Sequence, residues 1–370
     1  MRLVIEQHRW RKKASRMAIA ERPKIQGLEK RRRAGPTIQD VARVAGVSTA
    51  TVSRCLNEPD LVIEATRERV FKAVDELGYA PNFSAKTLAA NKSGTIGAII
   101  PTMENAIFAR GLQAFQEELG EFGYTLLVAS SAYRQDLEAQ QIRNLVARGV
   151  DALMLIGYDR DPDIYAFLAK RGLPFVNAWT YNRDVDASSV GFDNRAAMRG
   201  LAEKVLEFGH KRMGVISAHR THNDRARERL EGIREALSAS GIGQGSLSVL
   251  DVNYSIESGA MAFRTLMERA DPPTAVMCGN DVLAVGALDM ARQMGLTVPD
   301  EVSITGFDDI ELAQISTPRL TTVHVPHREM GKRAADILIG MLGGQHSGPS
   351  TLLKTRIMLR ETLGPVRRSA

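Results

Sequence analysis

Small polar side chains occupy one face of a short helical segment near the start of the chain, where a surface helix usually carries glutamate and lysine. The segment VSTATVSRCLN runs from Val47 to Asn57, and Val52, Cys55 and Leu56 fall on its apolar side. Hydroxyl, amide and guanidinium groups bond to base edges and phosphates, and small residues near a helix start leave room for close approach. The pattern predicts a recognition helix that enters the major groove of DNA. Its polar face consists of Thr49, Ala50, Ser53, Arg54 and Asn57.

The neighbouring sequence predicts two further helices that position this one. Thr37 and Asp40 have the spacing of a capping box at the start of a first helix, and Gly46 is placed to end it. Ser48 can cap the second helix, and a third begins at about Glu64. Three short helices with a glycine turn between the first two predict a helix-turn-helix headpiece.

This region resembles the headpiece of the lactose repressor (LacI/GalR) family of transcription regulators. The resemblance rests on TIQDVARVAGVSTATVSR from Thr37, on TRERV from Thr66 and on LGYAPN from Leu77. Ile63 departs from the family pattern, which has a small polar residue or proline before the third helix. The resemblance implies that Thr49, Ala50 and Arg54 contact bases. It also implies contacts with phosphates or helix ends for Thr37, Ser48, Thr51, Ser53 and Asn57.

A hinge is implied for the next segment. Pro81 ends the preceding helix, and residues 82–90 have the length of about two helical turns. By resemblance this is a hinge helix that becomes ordered on the operator, with Asn82, Ala85 and Leu88 at the DNA and Leu88 wedged into the minor groove. The alternative is a plain linker in which Leu88 packs on its own domain.

From residue 94 onward, apolar strand patterns alternate with helical ones in two successive sets. This alternation predicts an α/β fold in which two lobes of parallel strands follow the headpiece and hinge. Ligands of such folds bind at the carboxyl ends of the strands. No dinucleotide fingerprint, phosphate-binding lysine loop, zinc-protease motif or nucleophile elbow is present. The sequence therefore gives no support to a nucleotide-dependent or hydrolytic reaction.

The family resemblance extends over the two lobes and implies a periplasmic-binding-protein-like core that closes on a small effector. Its best matches are FDN from Phe192, RERLEG from Arg227, CGND from Cys278 and GFDD from Gly306. Two alternatives stay open: Trp179 as core and Asp193 as a helix cap. His324 and His327 lie where the chain crosses between lobes, and an effector contact is possible there. The implied effector residues are Trp179, Asp193, Arg229, Tyr254, Asn280 and Asp308.

A cleft with hydroxyl-binding groups and aromatic rings suits a sugar, a sugar acid or a nucleoside-like molecule. Family frequency favours a sugar or sugar acid. Whether the effector acts as inducer or corepressor, and which operator is bound, are left open. No cofactor or metal is expected, because the seven histidines are scattered and the two cysteines lack metal-ligand spacing.

Charge and composition limit which partners and which cell compartment the sequence favours. The 370-residue chain has a net charge of +6, but residues 1–34 hold twelve lysines and arginines against three glutamates, so the rest is slightly acidic. DNA binding must therefore rest on geometry in the headpiece. The apolar runs are too short to span a membrane, no secretory signal is evident, and two distant cysteines suit a reduced cytoplasm.

The sequence thus predicts a DNA-binding transcriptional regulator, a repressor, that binds a palindromic operator as a homodimer under effector control. The alternatives are a non-regulatory sugar-binding protein and an α/β sugar- or nucleotide-processing enzyme. The predicted parts are a basic, disordered extension over 1–35, a headpiece over 36–81, a hinge over 82–93, an effector-binding and dimerisation core over 94–362, and a tail over 363–370.

Overall fold

The computed structural model divides the chain into two compact units, Met1–Lys86 and Thr87–Ala370, which are described separately. The predicted extension up to residue 34 and the predicted hinge residues Asn82, Ala85 and Leu88 lie outside the described residues. The residues that the structure describes are 35–80, 92–104, 106–182, 187–345 and 350–366.

The first unit has three helices whose ends follow the predicted signals. Thr37 and Asp40 form both bonds of a capping box at the start of α1, and Gly46 ends α1 in the left-handed region at φ 64°. Ser48 caps α2 by accepting a hydrogen bond from the backbone of Thr51. No side chain caps α3, because Ile63 stands at that position and is 80% exposed. The helices are α1 (Ile38–Ala45), α2 (Thr49–Asn57) and α3 (Glu64–Leu77).

One small apolar core joins these helices. Val52 and Cys55 of α2 are fully buried against α1 and α3, as their spacing predicted. Burying such side chains contributes about 1.5–3 kcal/mol each, so a few of them fix the orientation of α2. The remaining buried members are Val41, Ala42, Ala45, Val70 and Ala73.

The second unit has two lobes, each built on a parallel sheet. The elements of lobe 1 are β1 (Thr95–Ile100), α4 (Ala109–Glu121), β2 (Thr125–Ser130), α5 (Gln135–Ala147), β3 (Ala152–Ile156), α6 (Pro162–Arg171), β4 (Phe175–Ala178) and β5 (Ser189–Gly191). The elements that follow are α7 (Asn194–Glu207), β6 (Met213–Ala218), α8 (Asp224–Ala239), β7 (Leu247–Val252), α9 (Ile256–Met267), β8 (Ala275–Cys278), α10 (Asp281–Gln293), β9 (Ser303–Thr305), α11 (Glu311–Ile315) and β10 (Thr322–His324). The last elements are α12 (His327–Leu342), β11 (Thr351–Leu352) and β12 (Arg356–Met358).

The strand order shows how the chain passes between the lobes. Lobe 1 has a six-stranded sheet in the order β11-β5-β4-β3-β1-β2, and lobe 2 has a four-stranded sheet in the order β7-β6-β8-β9. Strands β10 and β12 form a separate antiparallel pair. The chain therefore enters lobe 2 after β5, returns to lobe 1 with α12 and β11, and leaves it again before β12. Three crossings connect the two lobes.

Two glycines let α12 lie directly on α4 in lobe 1. A Cβ atom on Gly331 would lie 2.0 Å from the carbonyl oxygen of Gly111, and a Cβ on Gly111 would lie 2.5 Å from the ring of Trp179. Either side chain would force the helices apart or displace the ring, because real Cβ contacts are longer than these. This packing fixes Trp179 at the carboxyl end of β4.

Candidate nucleic-acid interface and ligand cleft

The predicted recognition face lies on the outside of α2. Thr49, Ala50, Arg54 and Asn57 are exposed, whereas Thr51 and Ser53 are half-buried. Arg54 has no hydrogen bond or ion pair with any described residue, so its guanidinium is free to reach a base or phosphate.

The other predicted DNA residues also have roles within the headpiece. Ser48 Oγ accepts from the Thr51 backbone N–H at 3.1 Å and lies 2.9 Å from its hydroxyl. Asn57 donates to Ser53 Oγ at 3.3 Å. Thr37 caps α1. These bonds hold the polar face in place, and they leave donors and acceptors at the surface that a DNA backbone can use.

The second unit contains a cleft between its lobes, at the carboxyl ends of the strands. Open ligand sites of α/β folds lie at such strand ends, and here the closed lobes leave only a narrow space between them. Five of the six predicted effector residues line it, all except Asp193. The lining residues are Ile107, Phe108, Tyr133, Trp179, Asn223, Arg225, Arg229, Tyr254, Asn280 and Asp308.

Arg229 is held rigidly in the cleft wall. Its Nε donates to Asn194 Oδ1 at 2.9 Å, and its Nη1 donates to the Gly279 carbonyl at 2.6 Å. Its guanidinium also stacks on Phe307 at 3.8 Å from the ring centroid. These contacts leave Nη2 directed toward Asp308, whose carboxyl oxygen is 3.8 Å away. The charge is therefore placed before any ligand arrives.

Asp308 lacks the partners that a buried carboxylate needs. Both carboxyl oxygens are buried without a hydrogen-bond donor among the described residues. Burial raises the pKa of Asp308 to about 7, and the nearby Arg229 offsets only part of that rise. The backbone is also strained, with φ at 107°. A ligand hydroxyl placed here would donate the hydrogen bond that this carboxyl lacks.

Asn280 presents a second group without a partner. Its Oδ1 caps α10 by accepting from the Leu283 backbone N–H at 3.0 Å. Its Nδ2 is buried and has no acceptor among the described residues, so it can donate to a ligand. Tyr254 and Tyr133 face each other across the cleft with ring centroids 5.6 Å apart.

Trp179 combines a core position with a place in the cleft wall. It is 1% exposed, packs edge-on against Phe108, and donates from its indole N–H to His327 Nδ1 at 3.2 Å. His327 Nε2 lies 3.2 Å from the Asp308 carbonyl, so a neutral ring can accept from Trp179 and donate to lobe 2. Burial lowers the pKa of His327 to about 4. His327 thus orients cleft residues from behind, while His324 pairs with Asp309 at 2.9 Å.

Asp193 lies elsewhere than predicted. It caps α7 by accepting from the Ala196 backbone N–H at 2.8 Å, its side chain is exposed, and it is not among the cleft residues. The next residue, Asn194, is buried and bonds to Arg229 instead. The helix-cap role, which the sequence left open as an alternative, is the one that its carboxyl group has here.

The sequence interpretation missed several cleft residues, among them Tyr133, Asn223 and Arg225. Tyr133 lies on the turn after β2, with φ at 57°. Asn223 and Arg225 begin α8 directly after β6. Their positions after parallel strands were the available signal, since such loops meet at one edge of a sheet.

Three polar contacts join the lobes at the rim of the cleft. Arg227 of lobe 2 bonds to Asp159 of lobe 1 at 2.5 Å, and Arg110 of lobe 1 bonds to Glu311 of lobe 2 at 2.8 Å. The backbone N–H of Tyr158 donates to Asp224 at 2.7 Å. The two lobes are therefore closed on each other.

A helix-turn-helix unit and a two-lobed binding domain in one chain define a class of ligand-responsive transcription regulators. A family model described as "Bacterial regulatory proteins, lacI family" matches residues 37–82, and one described as "Periplasmic binding protein-like domain" matches residues 202–363. The HTH-type transcriptional repressor CytR of Escherichia coli is 34% identical over 333 residues, which cover 90% of this chain and 97% of that protein. The HTH-type transcriptional repressor PurR of Photobacterium profundum is 35% identical over 305 residues, 82% of this chain and 91% of that protein. The chain belongs to the lacI family of bacterial regulatory proteins.

Solved structures confirm the predicted fold class. A LacI family regulator from Silicibacter pomeroyi superposes with a TM-score of 0.81 at 27% identity, covering 89% of this chain and 99% of that one. The lac repressor dimer bound to operator and the anti-inducer ONPF gives a TM-score of 0.79 at 27% identity, with the same coverage. A complex of the transcriptional regulator CelR with cellobiose gives 0.64 at 30% identity, covering 88% and 99%.

No helix in the part of the chain that the structure describes is long and apolar enough to cross a membrane. The described ranges also contain no group of three or more metal-ligating side chains.

Proposed function

We propose that this protein is a transcriptional repressor that binds a palindromic operator and changes its operator affinity when a small effector occupies the interlobe cleft. The observation that carries the proposal is the exposed polar face of α2 in a capped helix-turn-helix unit. Regulation rather than catalysis is supported by the relatives, which are transcriptional repressors. Binding to chromosomal DNA places its action in the cytoplasm.

The headpiece residues divide by the kind of DNA contact that their positions favour. Thr49, Ala50 and Arg54 are exposed on α2 and are proposed to contact bases, with Arg54 forming a bidentate contact to guanine. Ser48 and Thr51 at the helix start, together with Ser53 and Asn57, are proposed to bind phosphates. Thr37 has the same proposed role at the start of α1.

The effector is proposed to be a sugar or sugar acid. Asp308 and Asn280 would bind its hydroxyl groups, because each has a buried polar atom without a partner among the described residues. The Tyr133 and Tyr254 rings would cover its apolar face. This inference is supported by the CelR–cellobiose complex, whose fold this chain shares.

We propose a homodimer, since two headpieces are needed to read two half-sites about one helical turn apart. Strand β2 is a suitable interface in the second unit, because it ends the strand order of its sheet. Leu127 and Val128 on this strand are 37% and 38% exposed, and Phe122 before it is 53% exposed. Apolar residues at an open strand edge favour pairing with a second chain.

Selection of fragments from random double-stranded DNA, using the full-length protein without added effector, tests the function. We expect an enriched palindrome whose affinity falls steeply with salt. Arg54→Ala should cost about 1–3 kcal/mol of binding free energy and relax the preference at one position of each half-site. Arg69→Ala, which removes an exposed arginine of α3, is the matched control. Absence of any enriched site, both without effector and with a panel of candidate sugars and sugar acids, would contradict the proposal.

A further inference from the structure

Arg225 occupies the junction of two adjoining cavities. It is 8% exposed, lies in the first turn of α8 one turn before Arg229, and lines the cleft described above. It also lines an outer chamber of about 350 Å³, which shares Tyr133 with the cleft. The remaining residues of the outer chamber are Ile99, Pro101, Ser131, Arg134, Gln135, Glu138, Ile156, Asp159 and His222.

Arg225 pairs with Asp224 at 2.7 Å where the two cavities meet, so the excess of positive charge is the part of the Arg229 charge that Asp308 leaves uncompensated. The cleft is lined by two guanidinium groups, those of Arg225 and Arg229, and by one carboxyl group, that of Asp308. Burial raises the pKa of Asp308 to about 7, so this carboxyl is only partly ionised near neutrality. In the outer chamber, Glu138 pairs with buried Arg160 at 3.3 Å, and Asp159 pairs with Arg227 at 2.5 Å. Neither carboxylate is free to balance the charge in the cleft.

The two cleft arginines differ in how many of their donors are in use. Arg229 is held by Asn194, the Gly279 carbonyl and Asp308. Within the described ranges, Arg225 donates only to Asp224, through Nη1 at 2.7 Å and through its backbone N–H. Asp224 also accepts from the backbone N–H groups of Tyr158 and Arg225, which fixes its position and so directs the guanidinium. The Nε and Nη2 groups of Arg225 have no acceptor among the described residues.

We propose that Arg225 selects an effector with an anionic oxygen group, a carboxylate or a phosphate, while Asp308 and Asn280 bind its hydroxyl end. This inference rests on the proposed function, because it takes the cleft as the effector site. A hydroxyl can satisfy one N–H of a guanidinium, whereas a carboxylate or phosphate accepts two in parallel, here from the Nε and Nη2 groups that Asp224 leaves unused. Arg225 therefore discriminates a sugar acid or sugar phosphate from the neutral sugar.

Calorimetric titration of the full-length protein with matched ligand pairs tests the proposal. The pairs are glucose with gluconate, galactose with galacturonate, and ribose with ribose 5-phosphate. We expect at least one acid to bind about tenfold or more tightly than its neutral partner, with an affinity that falls as salt rises. Arg225→Met should reduce that ratio about tenfold and leave the affinity for the neutral partner almost unchanged.

Two further variants separate selectivity from folding. Arg225→Lys keeps the charge and loses the paired donors, so an intermediate ratio is expected. Arg234 lies on the same helix but outside both cavities, and it pairs with Glu231. Arg234→Met should therefore keep the full ratio of acid to neutral-sugar affinity. If Arg225→Met unfolds, the lysine variant still decides the question, because an unchanged ratio in it would show that paired donation is not used.

Three results would overturn the proposal: a neutral sugar that binds as tightly as its acid, a ratio that survives Arg225→Met, or a panel in which no acid binds. None of them bears on operator selection, which is measured without effector and depends on the headpiece. If the protein selects an operator but fails this test, the proposed function still stands and only the proposal of an anionic effector is refuted.

Discussion

Replacing Asp308 by asparagine should stabilise the fold and abolish the response to the effector. The carboxyl group is buried without a hydrogen-bond donor among the described residues, and Arg229 lies 3.8 Å away. Asparagine keeps the shape of the side chain and removes its charge. It also relieves Asp281, whose pKa is raised by burial and then by the charge of Asp308.

The magnitude follows from the pKa of the carboxyl in the two states. Folding raises it from 3.8 to about 7, so the folded protein keeps a proton that the unfolded chain has lost. The stability of the wild type therefore falls as pH rises from about 4 to about 7 and then levels off. A difference of this size corresponds to about 4 kcal/mol at most. Between about pH 5.5 and about pH 8, the advantage of Asp308→Asn should grow by about 2 kcal/mol.

Urea unfolding of the full-length proteins at both pH values measures this advantage. His327, whose pKa burial lowers to about 4, titrates in both proteins, so its contribution cancels in the comparison. The variant should still bind operator and should not respond to an effector that controls the wild type. Higher stability together with a lost response is expected when a binding residue is buried at a cost to the stability of the fold.

Asp309→Asn is the matched control, because it removes the neighbouring carboxylate, which is buried but paired. Asp309 bonds to Arg360 at 2.6 Å and to His324 at 2.9 Å. Its loss should destabilise the protein by about 2–4 kcal/mol, since Arg360 is left with no partner for its charge. An Asp308→Asn protein that is less stable than the wild type at about pH 8, or whose advantage does not change with pH, would refute the reasoning.

Three further predictions concern the headpiece, the lobe packing and the dimer. Ser48→Ala should destabilise the headpiece by about 1 kcal/mol through loss of the α2 cap, seen as faster amide exchange at the start of α2 with the second unit unchanged. Gly331→Ala should lower the free energy of unfolding by about 1–3 kcal/mol because its Cβ meets α4. Gly200→Ala makes only an ordinary contact, with Ile357 at 3.8 Å, and should be neutral or slightly stabilising; equal effects would contradict the packing argument. Val128→Lys should shift sedimentation toward the monomer and weaken operator binding, while Ala166→Lys on the exposed face of α6 should do neither; a dimer that tolerates lysine at position 128 would exclude β2 from the interface.

The helix-turn-helix unit was predictable nearly to the residue because its signals are local. The Thr37 capping box, the left-handed Gly46 and the Ser48 cap each act within four residues, and the structure has all three. The alternation of apolar strands and helices from residue 94 onward also predicted the two parallel sheets of the second unit, but not the short strands β10, β11 and β12. The role of each DNA residue remains a prediction.

The cleft was less predictable because its members come from distant segments. Tyr133 and Arg225 are separated by more than ninety residues and meet only when the lobes close. Asp193 illustrates the opposite error: its type suits a ligand, but a bond to its own helix determines where it points. Trp179 was left between core and cleft by the sequence, and the structure gives it both positions through its bond to His327. Long-range packing decides such cases, and one sequence carries no direct record of it.

The three crossings between the lobes affect how the chain is made. Helix α12 and strand β11 complete lobe 1, yet they are synthesised after all of lobe 2. A nascent chain that has left the ribosome only as far as β10 presents the open face of α4, with Gly111 and the Trp179 ring uncovered. Domains usually fold in order of synthesis, but lobe 1 cannot complete its fold until α12 and β11 have been synthesised. Premature termination anywhere before residue 327 therefore leaves lobe 1 unfinished, however much of lobe 2 has been made.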